Sequence, residues 1–203
     1  TYTTAYNTNM AANECFLDSA TLRENVVALA RNIGYVPRSR RSARARISFI
    51  VDGLVDTSTL TLNSGIVCNG AGDNTNYIFC LPESITIPVV NGVAEFSNIE
   101  IFEGNFVTQE FTVDTSLFNQ RYILDNSFID TSTIKVQVKP SSSATSSVTY
   151  KQIDNIVGVT STSNSYLLQE IEDERYELIF GDNVIGKKLN NSNVITVTYV
   201  VSD

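Results

Sequence analysis

Two hydrophobic periods follow one another along the chain. Up to about residue 37 apolar side chains recur at helical spacing: Leu22, Val26, Leu29, Ala30 and Ile33 fall on one face. Thr21 and Glu24 make a capping-box pattern at the start of that run, and Gly34 and Pro37 stop it, which predicts a helix between them. Upstream, Tyr2, Tyr6, Met10, Asn13 and Leu17 share another helical stripe. No capping residue precedes Tyr2, so the sequence is expected to open inside a helix already under way. That stripe needs a cover, supplied by the next helix, by a further segment or by another subunit.

From Ile47 the period is two. Ile47, Phe49 and Val51 alternate with their neighbours, Asp52-Gly53 reads as a turn before Leu54 and Val55, and Leu60–Leu62 and Ile66–Cys68 follow as short strands closed by Asn63-Ser64-Gly65 and Asn69-Gly70. Tyr77–Leu81, Ile85–Val90, Val93–Phe96, Ile99–Phe102, Glu110–Val113, Tyr122–Leu124 and Ile134–Val138 are further strands, with Asn91-Gly92 a strong turn signal. Ile134, Val136 and Val138 are expected inward, with Lys135, Gln137 and Lys139 outward. The polar run Pro140–Ser147 has little to bury and is expected to link two units. Beyond it Val148–Tyr150, Asn155–Val157, Tyr166–Glu170, Tyr176–Phe180 and Val194–Val201 continue the strands. The expected fold is α+β, mostly β: a helical segment over residues 1–37, a basic connector over 38–46, an antiparallel sandwich or barrel over 47–139, a linker over 140–147 and a second small β domain over 148–203.

Composition agrees with that reading. The 203 residues include 21 Thr, 21 Val and 18 Ile, which suit pleated strands, and 21 Ser and 20 Asn, which suit turns. Fourteen basic and 22 acidic side chains leave a net charge of −8, which argues against a dedicated nucleic-acid binder. The charge is uneven, +4 over residues 1–46 and −12 over the rest, because Arg38, Arg40, Arg41, Arg44 and Arg46 crowd the stretch before the first strand. Such a block reads as a solvated connector or as a surface that steers an acidic partner, such as a sister subunit. No apolar run approaches bilayer length and no leader pattern opens the chain, so no membrane partner is expected. The chain does not begin with Met, and is expected to be a piece of something longer.

Candidate chemistry is sparse. With no His, the Ser-His-Asp and Cys-His nucleophile systems are excluded, together with the commonest metal ligand. Cys15, Cys68 and Cys80 have no metal-site spacing and read as reduced thiols, with a Cys68–Cys80 bridge the open alternative. Glu170, Glu172, Asp173 and Glu174 lack the glycine and spacing of a calcium loop and read as a solvated turn. Gly70-Ala71-Gly72 has no third glycine or following helix for a dinucleotide. Carboxylate pairs such as Glu100 with Glu103, or Asp125 with Asp130, occur in any acidic β protein. Gly181–Gly186 reads as a glycine-bounded hairpin tip.

Three stretches resemble one family. They are Asn9–Thr21 running into Arg31–Ser39; Phe96–Gly104 followed by Gln120–Leu124 and Val136–Val138; and Arg175–Gly186, which is similar to an FGDGxxG turn with Asn183 in place of the usual Gly. Together they resemble the baseplate wedge subunits of T-even-type contractile-tailed phages, related to baseplate J-like proteins, in the same order and over nearly the whole chain. Asn tolerates left-handed backbone, so the departure at Asn183 leaves the turn intact.

The resemblance implies a middle portion of a structural virion protein of the tail baseplate, without catalysis or cofactor. Its partners would be copies of itself and other wedge proteins, joined into a six-fold ring around the tail hub. The subunit-interface candidates are Tyr2, Tyr6 and Met10 on the opening stripe, and Arg38, Arg40, Arg41, Arg44 and Arg46, together with exposed sheet edges. Two other readings stand beside it: a secreted or surface-displayed carbohydrate-binding or adhesin module, which would gather aromatic side chains on one open face, and a two-carboxylate glycan-degrading enzyme.

Overall fold

A computed structural model describes residues 2–32, 39–72 and 75–202. Two helices, α1 (Tyr2–Asn13) and α2 (Arg23–Asn32), precede β1 (Arg44–Val51), β2 (Thr59–Leu62), β3 (Gly65–Gly72), β4 (Thr75–Leu81), β5 (Ile85–Pro88), β6 (Ala94–Glu103) and β7 (Asn105–Thr112). There follow β8 (Tyr122–Leu124), β9 (Ile129–Lys139), β10 (Val148–Gln152), β11 (Ser165–Glu170), β12 (Tyr176–Phe180) and β13 (Val194–Val201). The chain is thus α+β and mostly strand, with its sheets curled and one of them nearly closed.

The first unit is a four-stranded sheet in the order β1-β6-β4-β3 with a β2-β5 ribbon beside it. Its core centres on Leu81, Ala94, Phe96, Ile99 and Ile101, and Phe49 stacks on Phe96 at 4.8 Å between ring centroids. The expected strands Val93–Phe96 and Ile99–Phe102 are one continuous β6. Between them Asn98 takes a φ of 55°, the register against β1 slips, and Ser48 Oγ accepts the Asn98 N–H at 2.9 Å. This is a bulge, which sequence alternation alone reads as a break. Asn69-Gly70, expected to turn, lies inside β3, paired with Ile78 and Tyr77 of β4. Leu54 and Val55 lie outside the strands, whereas Asn91-Gly92 turns as expected, with φ of 54° and 75° between the bonded pair Val90 and Val93.

The second unit is a seven-stranded sheet in the order β7-β13-β9-β10-β11-β12-β8. Its pairings are antiparallel except β10 with β11, since the long 153–164 connection carries the chain back to start β11 in the same direction. Asn155–Val157, expected as a strand, lies in that connection. The sheet curls around one core to which all seven strands contribute, including Tyr122, Leu124, Val136, Val197 and Tyr199. At the seam between its first and last strands, Gln109 Nε2 donates to Ile123 O at 3.1 Å and Phe111 meets Tyr122 edge-on. Burial pushes the phenol of Tyr199 up to about 12, helped by the nearby Asp125. Its hydroxyl lies 2.6 Å from Asn126 Oδ1, so the buried oxygen stays bonded.

Residues 140–147 connect β9 to its antiparallel neighbour β10 within this sheet, where a boundary between two domains was expected. The change of sheet falls instead at Gly104, between β6 and β7. Low complexity reports only that a segment buries little, which a hairpin loop satisfies as well as a linker does.

The two units are stitched at that point. Gly104 has a φ of +131°, and a Cβ there would collide with the Val201 carbonyl oxygen and lie 2.9 Å from Val200 Cγ1. Its N–H donates to Ile78 O, and its carbonyl accepts the Cys80 thiol at 2.9 Å. Cys68 and Cys80 are both free thiols, and burial pushes that of Cys80 up. Beside Gly104, the fully buried Asp130 accepts Ser42 N–H at 2.9 Å and the Ser132 N–H and hydroxyl at 3.0 and 2.6 Å. Ser39 bonds Thr131, Ser202 N–H reaches Phe128 O, and Lys135 pairs with Glu83 at 3.1 Å.

Gly104→Ala is expected to cost about 2–4 kcal/mol, since a non-Gly side chain is strained at that φ and its Cβ meets main chain that cannot swing away. Gly72→Ala, which has ordinary space and an ordinary φ, should stay within about 1 kcal/mol. Thermal unfolding of both variants checks this, and equal melting temperatures would refute it.

Candidate subunit interfaces

The helical segment is where the sequence places Tyr2, Tyr6 and Met10, and α1 carries all three without burying any of its residues. Tyr2 is 90% and Tyr6 61% exposed. Phe16 and Leu17 beyond it are exposed as well. Twelve residues are short for a helix that stands on propensity alone, and α1 has neither acids in its first turn nor bases in its last.

Among the described residues the bonds from the end of α1 to α2 centre on the Glu14 carboxylate. Glu14 Oε1 accepts the Thr21 N–H at 2.9 Å and the Thr21 hydroxyl at 2.7 Å, and Oε2 accepts Asn25 Nδ2 at 2.9 Å. Glu14 therefore serves the N-terminal donors of α2, where a Thr21/Glu24 capping box was expected; the Glu24 side chain lies outside the described residues. Bonds from the Asn25 amide and from Thr21 hold its carboxyl down at about 2, against an ordinary 4.5.

Among the described side chains of α2, Val27 and Ala30 are buried, while Leu22 just before it is 53% exposed. The expected stripe is rotated toward Arg23, which bonds Glu170 Oε1 on β11 at 2.8 Å and lies one turn from Val27. Glu170 is buried, where the acidic run was expected to be solvated; Asp173 is exposed, Glu174 is half-buried and lies 3.5 Å from Arg23, and the Glu172 side chain lies outside the described residues. Ile33 and Arg38 fall outside the described residues.

The other arginines gather at the joint between the two units. Arg40 lies over the Phe128 ring at 3.9 Å, and Arg44 over Phe102 at 4.9 Å, with Ser132 Oγ 3.0 Å away and Glu100 at 3.7 Å. Arg41 and Arg46 are exposed and make no ion pair among the described residues. The block and the α1 stripe share no hydrogen bond or ion pair among the described residues.

Sequence patterning missed a third surface at the far tip of the first unit. There the 52–58 loop meets the 89–93 turn, with Leu54 N–H donating to Gly92 O at 3.0 Å and Val89 N–H to Ser58 O at 2.9 Å. Val55, Val90 and Ile50 are 78, 62 and 65% exposed, and Asp52, Asp56 and Glu95 are exposed around them. Both turn signals were legible; their adjacency was not. Phe118, 93% exposed on the 113–121 loop, is another isolated apolar tip.

Among the described residues the exposed aromatic side chains are scattered: Tyr2 and Tyr6 on α1, Phe16 just beyond it, Tyr77 on β4, and Phe118 and Phe128 in two different loops. A groove of about 510 Å³ beside α2 is lined by Arg23, Arg121, Glu170 and Glu174, charges of both signs. Among the described residues no group of three or more Cys, Asp or Glu is placed to hold a metal ion, and no helix is long and apolar enough to cross a membrane. In the Gly181–Gly186 tip, Asn183 has a φ of 73°, the left-handed geometry expected of it, and Asp182 Oδ1 accepts the Val184 and Ile185 N–H groups at 2.9 Å.

No protein-family model matches the chain. It is 25% identical over 206 residues to the baseplate wedge protein gp6 of Enterobacteria phage T4, an alignment that takes in 97% of this chain and 30% of that protein. The chain therefore spans under a third of that relative's length, and the similarity is distant.

The Glu14 corner generates a pH prediction. Because its folded-state pKa is depressed, the stabilisation is complete above about 4.5 and is lost as pH falls toward about 2. Helical circular dichroism should decline across that window, and Glu14→Gln should show the lower signal at neutral pH. An unchanged spectrum for that variant would remove Glu14 as the link.

Proposed function

We propose that this chain is a structural part of a phage tail baseplate wedge and helps join wedges into a ring around the tail hub, by contacts with copies of itself and with other wedge proteins. One observation carries the proposal: the similarity to a baseplate wedge protein runs through 97% of the chain, so the helical segment, the joint and both sheets belong to the compared region. The surfaces fit an assembly role. An apolar helix stripe left in water is costly, at about 25 cal/mol per Å² of apolar area, and a contact that covers Tyr2, Tyr6 and Met10 recovers that cost. The exposed arginines add a polar surface of opposite sign to the acidic remainder. On this reading the protein is not an enzyme, and its place is the baseplate of a contractile tail.

Tail particles purified from cells that express the chain are expected to contain it, with antibody label confined to the baseplate end. Its absence from tails, or its recovery only from the medium or the cell surface, would overturn the proposal and favour the adhesin reading. In the same particles, Tyr2→Ser with Tyr6→Ser is expected to reduce incorporation several-fold while the β units keep their melting temperature.

A further inference from the structure

The two ends of β1 and β6 carry opposite chemistry. At one end Arg44 stands opposite Phe102 and Arg46 opposite Glu100; at the other Ile50 stands opposite Glu95 and Val51 opposite Ala94. At about 3.3 Å per residue these ends are roughly 20 Å apart. The charge segregation is sharper than the overall balance shows. Residues 25–51 contain six Arg and no acid, and residues 52–120 contain nine acids and no base. Within that acidic stretch Glu83 draws its cation from Lys135, and Glu100 draws its own from Arg44. Asp52, Asp56 and Glu95, at the tip, form no ion pair among the described residues. Arg41 and Arg46, at the joint, form none either.

We infer that the tip of the first unit docks onto the arginine block of a second copy of this chain, an inference that rests on the assembly role proposed above. The tip has the anatomy of an interface, exposed Val55, Val90 and Ile50 framed by three carboxylates, and its cations can come only from outside its own stretch of chain. The arginine block offers the complement: exposed Arg41 and Arg46, which form no ion pair among the described residues, and Arg40 over Phe128, a ring that is 39% exposed. Since the two patches differ and lie at opposite ends of one sheet, the contact is head-to-tail. It repeats from copy to copy and closes into a ring when the rotation per subunit divides a full turn.

Two charge-reversed chains test this: a tip variant (Asp52→Arg, Asp56→Arg, Glu95→Arg) and a block variant (Arg41→Glu, Arg46→Glu), each compared with the unaltered chain by light scattering over a concentration series. The unaltered chain is expected to associate, and to do so more weakly as salt rises from about 0.15 M to about 1 M. Each variant alone should associate at least tenfold more weakly, and an equimolar mixture should recover association, because every junction then joins opposite charges. Should a reversed chain lose its circular dichroism spectrum, neutral Ser replacements at the same positions take its place, with the same tenfold weakening expected of each. A monomeric unaltered chain, variants that associate as it does, or a mixture of charge-reversed chains that fails to recover would each overturn the inference. Unchanged association in a chain that is still found in tails would remove this contact alone and leave the baseplate role standing.

Discussion

Asp130 has no exposure to solvent, and a carboxyl group without water must find its donors in the protein. It finds them in Ser132 on its own strand and in the Ser42 N–H of the arginine-rich connector, so one side chain fastens the entry of the first unit onto the start of β9 in the second. Gly104 completes the joint from the other direction. Its left-handed φ and missing Cβ let β6 pass into β7 against the Val200–Val201 main chain. The relative placement of the two sheets therefore rests on a buried polar group that needs its partners and a backbone that tolerates no side chain.

That joint decides what the molecule can present. Because Ser39 and Ser42 are bonded along β9, the described part of the connector is fastened there, and it carries Arg40, Arg41 and Arg44 at the base of the first unit. Arg40 and Arg44 are spent on aromatic rings and Arg41 and Arg46 are left outward. The same joint holds the first unit by one end and leaves its opposite tip free. The helical segment is attached by different means, the Arg23–Glu170 ion pair and the Val27 and Ala30 contacts, while α1 hangs from Glu14 with its apolar stripe uncovered.

Much of the local structure was legible because it depends on neighbours in sequence. The alternation of Ile134, Val136 and Val138 against Lys135 and Gln137 appears in β9 as expected, and the Asn91-Gly92 turn needed only two residues that accept positive φ. On β13 strict alternation fails at Val200, which is fully buried because the first unit covers that face beside Gly104. Asn69-Gly70 has turn chemistry yet lies within β3, since pairing with β4 outweighs a local preference.

By itself the sequence determined the class, a short helical segment ahead of a strand-rich body, and the charge contrast between them, because period, turn chemistry and charge are properties of residues within a few positions of one another. Only the tertiary structure decided that the Ser-rich stretch is a hairpin loop, that Glu14 rather than Thr21 serves the donors of α2, and that Asp52, Asp56 and Glu95 share a tip with Val55 and Val90. Each of those outcomes is a competition for partners among groups far apart in the chain, and burial and hydrogen bonding settle it when the sheets close.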